Sequence, residues 1–388
     1  MTTTYLDYAA TAPLRREALE AMLPFLAGPA ANASSQHGPG RAARAAVETA
    51  REQVAALVGA RPDEVVFTSG GTEADNLAVK GTVMARPEPA HLVVSAVEHH
   101  AVLDAAAWAE ADAGAAVERA PVDAAGRLDL GALAGLLRPG RTALVAVMAA
   151  NNEVGTLEPV AEAAELAHRA GAVLLCDAVQ AAGLPGIDVA DGPVDLLALG
   201  AHKLGGPTGV GALVVRAGTM LRPLAHGGGQ ERGLRSGTLP VAALAGFGAA
   251  AAAALAERAA GAGAALAALR ARLAAGLAQV VPGLEVNGPA AQAQHLPGLL
   301  SVRLPGLLAE DALLLLDRER IACSAGSACA SGALEPSHVL LAMGAGEAAA
   351  RSTLRFSLGH ASTAADVDAA VAAFGRVVAA LGAGVGHG

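Results

Sequence analysis

The chain has 388 residues, room for one large domain with a smaller companion and too long for a stapled mini-protein. Hydrophobic residues make up 53 % but aromatic ones only 2 %, so the core has to be built from Ala, Val and Leu, and the 47 glycines lack the triplet period of collagen. A formal net charge of -9 offers no field to nucleic acid or an anionic membrane, and three Cys are too sparse for a disulfide scaffold and suit a reducing cytoplasm.

The N-terminus, MTTTYLDYAATAP, has neither the basic start nor the apolar run of a signal peptide, which points to a cytoplasmic protein. Strands are expected in EVVFTSG from Glu64, HLVVSA from His91, TALVAVM from Thr142, AVLLCDA from Ala172, DLLALG from Asp195 and GVGALVVR from Gly209. Ala-rich helical patterns over Arg41–Val58, Ala101–Ala111 and Val160–Ala170 alternate with them. That rhythm is of strands joined by crossover helices, hence a mostly parallel α/β sheet. The uncharged run Val241–Ala256 is shorter than the ~18 residues of a spanning helix and reads as a packed one. Its helical pattern continues from Pro240 to about Gln279 across a Gly-rich break at Gly261–Gly263. Beyond it strands are sparser, LLSVRL at Leu299 and TLRFSL at Thr353, with helices over Ala309–Glu319 and Ala364–Leu381. The change of rhythm predicts a large domain over residues 13–257 and a smaller α+β domain formed by 1–12 and 258–388. The tail GAGVGHG offers only Val385 to a core and should fray.

Only two lysines, Lys80 and Lys203, stand among 27 basic residues. Where any cation would serve, this chain uses Arg, so a retained Lys raises the question of amine chemistry. Lys80 lies in the helical pattern NLAVKG and reads as a chance survivor, whereas Lys203 follows a strand in LGAHKLGGPTG, a flexible Gly-rich setting that suits a Schiff-base lysine. Asp177 ends an apolar strand, where a carboxylate either faces a ligand crevice or caps a turn. The Gly pair and Thr72 of FTSGGTEADNLA lie between a strand and a helix, either as a phosphate cradle or as an ordinary Thr N-cap. Lysine, carboxylate and phosphate donors together are what pyridoxal phosphate needs.

The order and spacing carry further. LDYAATAP, ANASSQHGPGR, VVFTSGGTEADNLAVKG, EHHAVLD, ANNEVGT, CDAVQ, AHKLGGPTGVGAL, HGGGQERGLRSGT, CSAGSACASG and STLRFSLG resemble the cysteine desulfurases of the NifS/IscS type, in the class V aminotransferase group. The resemblance runs from Leu6 to about Gly359. It implies the fold type I of pyridoxal-phosphate transferases, with a mostly parallel seven-stranded sheet in the large domain. It implies that Lys203 forms the Schiff base and shuttles the proton at the substrate α-carbon, that Asp177 pairs with the pyridinium nitrogen, and that Gln180 bonds the phenolic oxygen. His99 would stack on the ring and assist proton transfer, with His100 peripheral. Thr72 and His202 would hold the phosphate, joined by Thr238 from the other subunit of a homodimer. Arg355 would grip the substrate carboxylate, with Asn32 and Asn152 beside it.

Cys329 decides the reaction type. It sits among Gly and Ser, on a segment expected to be an exposed loop, whereas Cys176 falls in an apolar strand and Cys323 closes an apolar run. The resemblance implies that L-cysteine yields its sulfur to Cys329 as a persulfide and leaves as L-alanine, the sulfur passing to an iron-sulfur scaffold protein or a tRNA thiolation enzyme. Gly200 stands where the family usually has a phosphate-binding Ser, which predicts weaker cofactor retention; Thr208, Ala12 and Ala33 are smaller departures. The C-terminal tail lacks the form expected of members that dock an iron-sulfur scaffold. Alternatives are a selenocysteine lyase or another class V enzyme, and a degenerate sulfur-relay partner, against which the retained Lys203 argues. Cys323 and Cys329 lack the spacing to a His pair that zinc requires.

Overall fold

A computed structural model describes residues 3–86, 88–184, 188–190, 192–325 and 336–384 of the chain. The segment around Cys329 and the last residues of the tail, Val385 included, lie outside them. The first part of the chain forms β1 (Thr4–Tyr5), α1 (Arg16–Leu26), α2 (Gly38–Leu57), β2 (Val65–Thr68), α3 (Gly71–Met84), β3 (His91–Ser95), α4 (His100–Ala113) and β4 (Ala116–Ala120). Then come α5 (Leu130–Leu136), β5 (Thr142–Ala146), α6 (Val160–Arg169), β6 (Val173–Asp177), β7 (Leu196–Gly200), β8 (Gly211–Val215) and α7 (Val241–Ala259). The remainder forms α8 (Ala262–Val280), β9 (Glu285–Val286), β10 (Leu299–Arg303), α9 (Ala309–Arg318), β11 (Ile321–Ala322), β12 (Ser324–Ala325), β13 (Thr353–Ser357) and a final helix, Ala364–Gly384.

Seven strands form one sheet in the order β2-β8-β7-β6-β5-β3-β4. All its pairs are parallel except those of β8, which runs against both neighbours. Alternate side chains of each strand enter opposite cores. Leu197 and Leu199 of β7 pack with Val47, Val54 and Leu57 of α2 and Leu244 and Phe247 of α7, while Leu196 and Ala198 pack with α3 and α4. Burial on both faces is why the strands read as unbroken apolar runs rather than alternating ones. The exception is β4, whose AVERA is partly exposed at the sheet edge; the sequence reading missed this strand because an edge need not be apolar.

Helix α7 is apolar and long enough to cross a membrane by length and composition, but it is a core helix: Leu244, Phe247, Ala250, Ala251 and Ala254 are buried. Small residues let it lie close against α2, since a Cβ on Gly248 would sit 2.6 Å from Ala50 Cα. The helical stretch then breaks at Gly261, whose φ of 80° is left-handed and costs glycine little. A second core gathers Leu273 and Leu277 of α8, Leu300 and Val302 of β10, Leu354 and Phe356 of β13 and Phe374 of the final helix around an antiparallel sheet, β12-β13-β10-β9. Leu6 belongs to that core, and β1 pairs in parallel with β11.

Candidate active site

Five residues singled out in the sequence follow the carboxyl ends of strands that run the same way: Thr72 after β2, His99 after β3, Asn152 after β5, Asp177 on β6 and Lys203 after β7. That edge of an open α/β sheet is where ligands bind, because the loops there diverge and leave a crevice. With Gln180, His202 and Arg355 they line a single cavity of about 300 Å³, whose wall also includes Ala9, Ala10, Gly71, Asp75 and Val179.

Lys203 lies on the short turn Ala201–Leu204, and its Nζ donates to the carbonyls of Ala9 and, at 2.7 Å, Ala10. Gln180 Nε2 donates to the same Ala9 carbonyl at 2.9 Å. The N-terminal segment therefore walls one side of the cavity. Opposite in charge is Asp177, 6 % exposed, whose Oδ1 accepts the Val179 N–H at 2.9 Å. Burial pushes its carboxyl up to about 6, held back by that hydrogen bond and by Lys203. Asp75 and Glu98 are buried beside it and raised well above the usual carboxylate range, first by burial and then by the Asp177 charge. Asp75 Oδ1 and Glu98 Oε2 have no partner among the described residues. Neighbouring buried carboxyls cannot all ionise, so this cluster keeps protons and favours a cation arriving against Asp177.

His99 is the N-cap of α4: its Nδ1 accepts the Ala101 N–H at 3.1 Å, so the neutral ring carries its proton on Nε2. Burial, then Lys203, lowers its pKa and keeps it neutral. His100 is exposed, edge-on to His338 at 4.9 Å between ring centroids. His202 Nδ1 lies 3.0 Å from Thr11 Oγ1, and burial and Lys203 lower it to about 4.

The choice between cradle and cap at Thr72 is resolved by Gly70, which is the N-cap of α3 and leaves Thr72 in the first turn, lining the cavity. The start of α3 thus presents backbone N–H groups and the positive end of the helix dipole to an anion. Crowding sets its position: a Cβ on Gly71 would lie 2.6 Å from Val179 Cγ2, and one on Gly211 would lie 2.6 Å from the Gly70 carbonyl carbon.

Arg355 of β13 is 3 % exposed. Its Nη1 donates to the Asn152 carbonyl and its Nη2 to Asp7 Oδ1, both at 2.9 Å, while Nε is buried without a partner among the described residues. Asn151, not Asn152, shapes the turn there by accepting the N–H groups of Glu153 and Val154. Asn32 and Thr238 are exposed and do not line this cavity; Asn32 Oδ1 accepts the Ser34 N–H. Cys176 is buried, its thiol pushed up by burial and the neighbouring carboxyls, and burial pushes Cys323 up to about 12. Cys329 lies outside the described residues. Sequence reasoning missed Asp7, Asp75 and Glu98, since their roles depend on partners far along the chain.

The donor set fits pyridoxal phosphate: an amine, a buried carboxylate, a helix N-terminus and an imidazole share one cavity of ligand size. A model of the family "Aminotransferase class-V" matches residues 4–370. The chain belongs to the class-V aminotransferase family. Within that family it is 46 % identical over 369 residues, 95 % of this chain and 94 % of the relative, to "Cysteine desulfurase" of Cereibacter sphaeroides. It is 45 % identical over 372 residues, again 95 % and 94 %, to "IscS-like cysteine desulfurase" of Mycobacterium tuberculosis (strain ATCC 25618 / H37Rv). Among solved structures it is similar to a "NifS-like protein", with TM-score 0.90, 33 % identity and coverage of 97 % of this chain and 100 % of that one. "SspA in complex with cysteine" is similar at TM-score 0.79 and 33 % identity, covering 92 % and 99 %. This is the fold type I architecture that the motifs implied, and the class-V sheet is mostly parallel with one reversed strand, β8.

Proposed function

We propose that the chain is a pyridoxal-phosphate-dependent cysteine desulfurase, which turns L-cysteine and an enzyme thiol into L-alanine and an enzyme persulfide. The observation that carries this reading is the union of Lys203, Asp177, His99 and Arg355 in one cavity, in a chain whose relatives bear that name. When bound, pyridoxal phosphate supplies an electron sink conjugated to the substrate α-carbon. Lys203 anchors it and moves the proton at that carbon, a task for an amine and not a guanidinium. Asp177 would hold the ring nitrogen protonated, Gln180 would bond the phenolic oxygen, and His99 would meet the ring with Nε2–H as a donor. Thr72, His202 and the start of α3 would hold the phosphate. Arg355 takes the substrate carboxylate with Asn152 at its side.

The thiol is Cys329. Cys176 and Cys323 are buried with raised pKa values and stay protonated, which makes them poor nucleophiles. As the substrate C–S bond breaks and an S–S bond forms, the Cys329 thiolate keeps the sulfur and alanine leaves. The working unit on this reading is a cytoplasmic homodimer in which Thr238 serves the phosphate of the partner's site. Exposed Leu19, Leu23 and Leu26, one face of α1, supply apolar surface for such a contact. Residues 13–257 form the cofactor domain, and 1–12 with 258–388 the domain that carries Cys329. The persulfide then serves a sulfur acceptor, an iron-sulfur scaffold or a tRNA thiolation enzyme.

The test is an absorption spectrum of the protein with added pyridoxal phosphate and then L-cysteine, with alanine and bound persulfide assayed together. A visible band that shifts with cysteine, with alanine and persulfide formed in equal amounts, is the expected result. Cys329→Ala keeps the band and loses the persulfide; sulfur release undiminished in that variant refutes the assignment.

A further inference from the structure

If Arg355 receives a substrate carboxylate, it already holds one of the chain's own. Its Nη2 donates to Asp7 Oδ1 at 2.9 Å, and the other oxygen of Asp7 accepts Ser324 Oγ–H at 2.8 Å. The Asn152 carbonyl fixes Nη1 at 2.9 Å. The guanidinium of a 3 % exposed arginine is thus pinned at two of its nitrogens from two separate parts of the chain, the N-terminal segment and the loop after β5, while β12 braces the first of them through Ser324. Arg355 lines the cavity and Asp7 does not, so Asp7 acts from behind. Two of the five N–H donors of the fork are used for aim, and the buried Nε–H is among those left over.

We propose that Asp7 is a positioning residue that aims Arg355 at the substrate α-carboxylate, with Ser324 as its brace. The proposal rests on the reading of Arg355 as the carboxylate grip. Two effects of Asp7 oppose each other. As an anion it repels an incoming carboxylate; as a fixed acceptor it holds the planar fork where two parallel N–H···O bonds can form, and bidentate recognition depends on that geometry. The sign of the affinity change on removing Asp7 separates them. Stronger substrate binding means that Asp7 was a mask, and weaker binding means that it set the aim.

The experiment compares Asp7→Ala, Asp7→Asn and Ser324→Ala holoenzymes by KM and kcat for L-cysteine and by the spectral dissociation constant of L-alanine. Asp7→Ala is expected to raise both constants about ten- to hundredfold, the loss of one hydrogen bond to a charged group, with a smaller change in kcat. Asp7→Asn keeps an oxygen towards Nη2 and recovers most of that loss, while Ser324→Ala, which leaves no buried charge unpaired, gives a smaller rise at unchanged melting temperature. Unchanged or lowered constants in Asp7→Ala, or a full loss in Asp7→Asn equal to that of Asp7→Ala, overturn the proposal. If Asp7→Ala fails to fold, Ser324→Ala decides alone, and unchanged constants there overturn it. Arg355→Leu separates the two layers: if it leaves both constants unaltered, the carboxylate grip itself is wrong.

Discussion

At Gly200 the backbone, with φ of -125° and ψ of 126°, would accept a serine without strain, so conformation does not explain the glycine. Its neighbours do. A Cβ there would lie 3.3 Å from Val179 Cγ1 and 3.6 Å from the His202 ring, the first tighter than ordinary van der Waals contact. A serine hydroxyl reaching a phosphate would contribute about 1.5 to 3 kcal/mol, the value of a hydrogen bond to a charged acceptor. Forcing an atom into a filled site costs about 1 to 3 kcal/mol. The two nearly cancel, so Gly200→Ser alone should change the dissociation constant of pyridoxal phosphate by less than about threefold. Val179→Ala removes the crowding methyls. In that background Gly200→Ser should tighten the cofactor by about ten- to hundredfold, a coupling of roughly 1.4 to 2.7 kcal/mol across the contact. The assay is equilibrium dialysis against a series of cofactor concentrations, read from the visible band. A tenfold gain from Gly200→Ser with Val179 in place, or no gain without it, refutes the steric account.

Glu158 gives a pH test. Its Oε2 accepts the Leu128 N–H at 2.8 Å, Oε1 has no partner among the described residues, and burial pushes its pKa from 4.5 to about 8. The folded chain therefore holds a proton that the unfolded chain has lost, and the associated stability, complete below the unfolded pKa, falls as pH rises through the folded one. Glu158→Gln should flatten the decline in melting temperature between about pH 5 and pH 8; an unchanged slope contradicts the raised value. Cys323→Ser should leave persulfide formation within about twofold of the parent, since a thiol held protonated is not the nucleophile. Loss of activity there would return Cys323 to the chemistry. Glu231 is buried, paired with Arg51 at 2.8 Å and bonded to the Phe67 N–H, so Glu231→Ala should destabilise the fold by about 3 to 5 kcal/mol in urea melts. A loss under 1 kcal/mol would mean that Arg51 finds another partner, a test read against the usual ~1 kcal/mol of a single mutation.

Much of this was legible because the informative residues are local. Lys203 stands out as one of two lysines, and the other, Lys80, has a packing role, its Nζ 4.8 Å over the Trp108 ring. Asp177 announces itself at the end of an apolar strand, and strands buried on both faces leave continuous runs that cannot be mistaken for loops. What the sequence does not reveal is relational. Thr72 as cap or cradle reads the same from either side, and only the position of Gly70 as N-cap separates them. Asp7 meets Arg355 across 348 residues, and Val179 crowds Gly200 through the sheet, pairs that no window along the chain contains. His99 is both cavity wall and helix cap, two roles for one ring.

The N-terminal segment also sets a schedule for synthesis. Its first strand pairs with Ile321 and Ala322, the Ala9 N–H donates to Ser357, and the carbonyls of Ala9 and Ala10 face Lys203. Ala9 thus waits for a partner 348 positions further along the chain, a delay of the order of tens of seconds at about 5 to 20 residues per second. Until then the large sheet can form, but the wall beside Lys203 stays open. A chain cut short before β13 would carry the lysine and the carboxylate and still lack one side of its pocket, so the cavity is complete only once β13 has joined its sheet.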